Sequence, residues 1–275
     1  MAVQFSESSR SRASLHTLQS ELEAVIAAAD LTVADELFSA LDVLDGSAAL
    51  RRSLTDPARE QAARVEVIRS LFGQRAQQTT VQVLGAAVAQ RWGSERDLGD
   101  AVETLAVTAV AARAESRGLQ GLEELEGTLL SFRRAIADSH ELQRAFRDDQ
   151  APASAKQQLA ARLSADASAE ARLLIDRAVT APRGLRITAV IERFAAVIAA
   201  RQDRWIAQVT VAKDLSSAYL ERLSTSLDKY FGRELKLDVK VDPSVVGGIR
   251  VQVGDEVVDS TVASRLNELH RTIAR

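Results

Sequence analysis

Few side chains in this sequence are of the types that catalysis or metal binding commonly uses. The three histidines, His16, His140 and His270, are scattered over polar helix faces, which reads as solvated surface and not as a base or a ligand set. Asp148-Asp149, with nearby Glu141, could hold a cation, but the pair lies at a helix end. Carboxylates there cap free backbone N–H groups, so a cap within a solvated cluster is the better reading. Gly247-Gly248 could cradle an anion, yet apolar strand positions flank it and no Lys-Ser/Thr follows, so a structural bulge is preferred. Cysteine is absent, which removes thiolate chemistry and disulfides and fits a reducing compartment. No HExxH, GxSxG or Walker A pattern occurs. The expectation is therefore no catalytic, metal or cofactor site.

The elements carry more information. Leu235, Leu237, Val239 and Val241 alternate with Lys236, Asp238, Lys240 and Asp242, the period of a strand with one wet and one buried face. After the Asp242-Pro243-Ser244 break, Ile249, Val251 and Val253 alternate with Arg250 and Gln252. Gly254-Asp255 is a two-residue hairpin signal leading into Glu256-Val257-Val258. Upstream, Trp205, Ala207, Val209 and Val211 form another alternating run. A helix follows, with Leu215, Tyr219, Leu223, Leu227 and Tyr230 on one face and Gly232 as its stop. That helix can serve as a crossover between parallel strands, so a mixed sheet is expected. A last helix is expected from Asp259, with Val262, Leu266, Leu269 and Ile273 on one stripe.

This block resembles the signature of the delta subunit of bacterial ATP synthases, the family of the mitochondrial oligomycin-sensitivity-conferring protein. The family pattern is filled by Leu235, Leu237, Val241, Asp242, Val245, Gly247, Gly248, Ile249, Val251, Gln252 and Gly254. The terminal stretch with Asp259, Val262, Arg265 and Leu266 is also similar to it.

Everything before Trp205 reads as alanine-rich helix. Leu15, Leu18, Leu22, Val25 and Ile26 recur at helical spacing, as do Leu37, Phe38, Leu41 and Leu44. Asp56-Pro57 reads as a helix start, and the apolar run 80–92 as the centre of the first half. Ser116-Arg117-Gly118 reads as a joint. Beyond it the pattern repeats at a period of about 90 residues, longer than ordinary solenoid repeats. Leu37, Leu50, Arg52 and Asp56 fall on Leu129, Leu142, Arg144 and Asp148, and Gly93 falls on Gly184. The second copy resembles the family's N-terminal helical domain, and 177–194 its glycine-marked turn. The first copy lacks the family's opening tyrosine motif, since no tyrosine precedes Tyr219.

The expected fold is mainly α, with two consecutive helical-bundle lobes (1–117 and 118–202) and a small α+β domain with a mixed sheet (203–275). A net charge of -3, from 35 basic and 38 acidic residues, argues against nucleic acid as the main partner. No apolar signal core opens the chain, and its apolar runs are too short to span a bilayer. The resemblance implies a non-catalytic peripheral-stalk subunit of a rotary ATP synthase. It implies that the protein joins the N-terminal segments of the alpha subunits to the C-terminal end of the b subunit, at the cytoplasmic face of the cell membrane. The residues alone leave open a free-standing helical adaptor with an α+β dimerisation domain.

Overall fold

The computed structural model describes residues 8–148, 150–232, 235–242, 248–254 and 256–259. Eleven helices come first: α1 (Ser9–Ala27), α2 (Leu31–Gly46), α3 (Ala48–Thr55), α4 (Gln61–Phe72), α5 (Gln78–Ala89) and α6 (Glu95–Glu115), then α7 (Leu119–Asp138), α8 (His140–Arg147), α9 (Ala153–Leu163), α10 (Ala169–Thr180) and α11 (Ile187–Gln202). After a 3₁₀ turn come β1 (Ile206–Val211), α12 (Ser217–Phe231), β2 (Lys236–Val241), β3 (Ile249–Val253) and β4 (Glu256–Asp259). The chain divides into two compact units, with the boundary after Ile198.

In the helical unit the centre is α6, not α5. Seventeen of its 21 residues are buried, among them Asp97, Asp100 and Glu103. The expectation that 80–92 is the centre of the first half gives way to α6, whose apolar face is wide: Leu98, Val102, Leu105, Val107 and Val110 are at most 1% exposed. A capping box starts the helix: Asp97 N–H donates to Ser94 Oγ at 3.3 Å and Ser94 N–H donates to Asp97 Oδ2 at 3.1 Å. Ser11 of α1 donates to the same Asp97 oxygen at 2.6 Å, fastening the first helix to the central one. α2 is the main neighbour of α6 in the first half, and α7 and α10 pack on it from the second.

The helices also recur in order. Ala48, Gln61 and Glu95 start α3, α4 and α6; His140, Ala153 and Ile187 start α8, α9 and α11 at the same interval along the chain. Ser47 and Ser139 cap α3 and α8 alike, accepting from Leu50 and Leu142 N–H at 3.2 Å. Asp56 does not begin a helix: it follows α3, and its Oδ1 accepts from Ala58 N–H at 2.9 Å, while α4 begins only at Gln61. Asp148 does the same for Gln150 N–H at 2.9 Å. Aspartate bonding its own backbone two residues on makes a turn, which here wins over the helix-start reading of Asp-Pro.

In the second unit the strand order is β2-β1-β3-β4. β1 and β2 are parallel with α12 between them, while β1–β3 and β3–β4 are antiparallel, giving the expected mixed sheet. Val253 pairs with Glu256, so two residues separate the paired strand ends as expected, and Gly254 takes the φ of 57° that a tight hairpin turn demands. Ala207, Val209, Val211, Val251 and Val253 bury one sheet face against Leu227 of α12, with Leu223 and Phe231 at its margin. Gly232 caps α12 in the left-handed conformation.

Candidate functional site

The signature residues that lie among the described ones gather in this sheet. Leu235 is 7% exposed, and its N–H donates to Asp228 Oδ1 at 2.7 Å, tying the end of α12 to the start of β2. Leu237, Val239 and Ile249 are half-buried at the margin of the core, and Val251 is inside it. Val241 breaks the expected pattern: it is 40% exposed, at the end of β2, the edge strand among the described residues, where it pairs with Val211 of β1. Asp242 N–H extends the ladder by donating to Val211 O at 2.8 Å. Gln252 lies on the opposite, exposed face and donates from Nε2 to Gly254 O at 3.2 Å. Gly248 stands immediately before β3 with φ 85°, and Asp259 pairs in register with Arg250 at the end of β4. Val245, Gly247, Val262, Arg265, Leu266 and the expected terminal helix lie outside the described residues. What the structure brings together is a packed apolar face and two glycine-dependent bends.

The helical unit holds a second, unforeseen constellation. Arg183, in the turn between α10 and α11, is 9% exposed at its side chain and reaches three carboxylates. Its Nε donates to Asp45 Oδ2 at 2.6 Å, and its Nη1 to Asp100 Oδ1 at 2.6 Å and Glu103 Oε2 at 3.4 Å. Arg193 of α11 adds a contact of 3.1 Å to the same Glu103 oxygen. Space for the Arg183 guanidinium exists because residue 99 is glycine: a Cβ there would lie 2.6 Å from Arg183 Nη2. The Arg183 backbone has φ 51° and Gly184 φ 77°, a turn that directs the side chain inward. Burial opposes the Arg183 charge, but the Asp45 hydrogen bond, Glu103 and Asp100 outweigh it and raise the guanidinium above its ordinary pKa. Burial pushes the Glu103 carboxyl up, and Arg183 and Arg193 pull it only partway back.

Two further pairs join the halves of the unit. Arg177 of α10 donates from Nη1 to Asp42 Oδ1 at 2.7 Å and lies 5.1 Å over the Phe38 ring. Arg117, beside the joint, donates to Glu170 Oε1 at 2.7 Å. Burial works against the Glu170 charge, but the hydrogen bonds from Arg117, its own backbone N–H and Ser168 hold its carboxyl below the usual range. Sequence reading missed all of these groups. The available signal was Asp100 and Glu103, three apart on one face of a helix rich in alanine and valine, and an arginine set beside Gly184. His16 and His140 are exposed, as expected of surface groups.

The family model described as ATP synthase delta (OSCP) subunit matches residues 105–273, opening inside α6. Among curated proteins, the ATP synthase subunit delta of Pseudarthrobacter chlorophenolicus is 48% identical over 267 residues, 95% of this chain and 97% of that protein. The ATP synthase subunit delta of Renibacterium salmoninarum is 48% identical over 256 residues, covering 92% and 94%. That of Beutenbergia cavernae is 37% identical over 268 residues, covering 96% and 98%.

Proposed function

Since this chain belongs to the ATP synthase delta (OSCP) subunit family, whose members are non-catalytic parts of that complex, we propose that it is the peripheral-stalk connector of a rotary proton-translocating ATP synthase. In this reading the helical unit grips N-terminal segments of the alpha subunits on the catalytic head. The C-terminal unit holds the end of the membrane-anchored b subunit. The division of the helices into lobes 1–117 and 118–202 belongs to the same proposal, the second lobe being the ordinary helical domain of shorter relatives. The protein works at the cytoplasmic face of the cell membrane and is held there by its partners. No described helix is long and apolar enough to cross a membrane.

One observation carries the proposal: 48% identity that runs through both structural units and nearly the whole of a protein named as the ATP synthase delta subunit. The physical task of such a connector is to resist torque. Binding spread over wide, rigid surfaces with slow dissociation suits it, and reactive groups contribute nothing. The buried ion pairs that clamp α2, α6, α10 and α11 support rigidity of this kind. The test is purification of the tagged full chain from solubilised membranes. Recovery of both alpha and b subunits is expected, and recovery of the chain free of head subunits would overturn the reading.

A further inference from the structure

Between α7, α8, α9 and the α10–α11 turn lies an open groove of about 560 Å³. Its floor is apolar, made by Ile136, Phe146, Pro182, Leu185 and Ile187, of which Ile136, Phe146 and Ile187 are buried. Its rim carries Arg133, Arg147, Lys156 and Arg186, and among the described residues no acidic one lines it. Arg133 is balanced by Glu192, with Nη2 at 2.5 Å from Oε1. For Arg147, Lys156 and Arg186 no ion pair forms among the described residues. Three unbalanced cations around an apolar trough repel one another and add nothing to folding. The same arrangement is complementary to a ligand with an apolar stripe and flanking carboxylates.

We propose that this groove is a docking site for a short acidic amphipathic segment of another protein. An apolar stripe on the segment fills the trough and its Asp or Glu side chains meet Arg147, Lys156 and Arg186, the helix-in-groove mode of recognition. The volume is that of an ordinary ligand site, enough for the side chains of about two helical turns. A small inorganic anion fits less well, because it would leave the apolar floor wet. The groove keeps its shape because Arg183, on the inner side of the same turn, is locked to Asp45, Asp100 and Glu103. The turn thus has two roles: Arg183 anchors it inward, while Leu185 and Arg186 face the groove. This inference deepens the connector reading by giving one partner segment a chemistry, and it rests on that reading for the partner being a companion subunit.

The test uses the full chain and a labelled helical peptide with a leucine stripe flanked by glutamates, titrated by fluorescence anisotropy. A twin peptide with lysine in place of every glutamate is the control. The triple variant Arg147→Glu, Lys156→Glu, Arg186→Glu should bind the glutamate peptide at least about 10-fold more weakly and the lysine peptide correspondingly better. Raising salt should weaken the parent's binding. If the triple variant does not fold by circular dichroism, Arg186→Glu alone should weaken binding by about 3-fold. The proposal is overturned if the two peptides bind the parent alike, or if charge reversal leaves affinity unchanged. It is equally overturned if a glutamate peptide without the leucine stripe binds as well and inorganic phosphate displaces it, which would mark a plain anion site. Because the isolated chain is titrated, these results stand apart from any failure to recover head subunits from membranes.

Discussion

Arg183 Nη1 donates to Asp100 Oδ1 at 2.6 Å, joining the turn before α11 to the second turn of α6 across 83 residues of chain. Both side chains are largely buried, at 9% and 12% exposure. The pair sits where the two halves of the helical unit meet, and it decides how securely they are joined. Arg183→Ala would leave Asp100 and Glu103 in the interior with Arg193 as the remaining buried cation in ion-pair range of both. A loss of about 3–5 kcal/mol is expected, the usual cost of stranding one partner of a buried ion pair. Urea unfolding followed by helix circular dichroism measures it, and a double-mutant cycle with Asp100→Asn should show coupling above about 1 kcal/mol. An unchanged midpoint for Arg183→Ala would refute the role.

Glu170 and Glu103 should respond to pH with opposite signs. The Glu170 carboxyl is held low in the folded chain, so its contribution is present above the ordinary carboxylate pKa and is lost as pH falls through the folded value. Glu170→Gln should therefore cost about 1–3 kcal/mol near neutral pH and progressively less on acidification. The Glu103 carboxyl is raised, so the folded state binds the extra proton and the parent loses stability as pH climbs from the ordinary value to the folded one. Relative to the parent, Glu103→Gln should gain stability through that same rise. Melting curves from acid to neutral pH test both, and parallel pH profiles for the two variants would contradict the assignment.

Gly248 enters β3 with φ 85°, a conformation that a branched side chain adopts only under strain. Gly248→Val should destabilise the C-terminal unit by roughly 1–3 kcal/mol. An unaltered melting temperature would show that the bend relaxes freely.

Cutting the chain at the joint at 116–118 should cost the second half its ion pairs to α6 and Arg117. A fragment of residues 122–275 loses α6, and with it the partners of Arg183 and Arg193, and it also loses Arg117, the partner of Glu170. It should be poorly helical and prone to aggregate. A fragment of residues 94–275 keeps α6 with its Ser94 cap and should fold with native-like helix content, though exposing the face that α2 covers. Comparison of the two by circular dichroism and size exclusion is decisive: equal folding would mean that α6 is dispensable to the second half.

Local pattern was enough to establish β1, β2, β3, the hairpin at Gly254, the crossover helix and its stop at Gly232. Each of those depends on neighbours within a few residues: alternation in a strand with one wet face, or a backbone angle that glycine adopts freely. The resemblance in 235–259 was legible for the same reason, since sheet register and tight bends restrict residue types position by position. The helical unit was less legible. Periodicity identifies a helix with one wet face, but α6 is enclosed by neighbours from both halves, with even Asp100 and Glu103 buried. Whether a carboxylate can be buried depends on a cation arriving beside it, and here the cations come from Arg183 and Arg193, far along the chain. Val241 is the same lesson in reverse: alternation gave it an inward direction, but its place at the end of an edge strand left it open. The amino-acid order determined which segments become helix or strand and which face each prefers. Only the tertiary structure decided which faces are covered and which charges meet, because those depend on groups brought together by folding and not by sequence spacing.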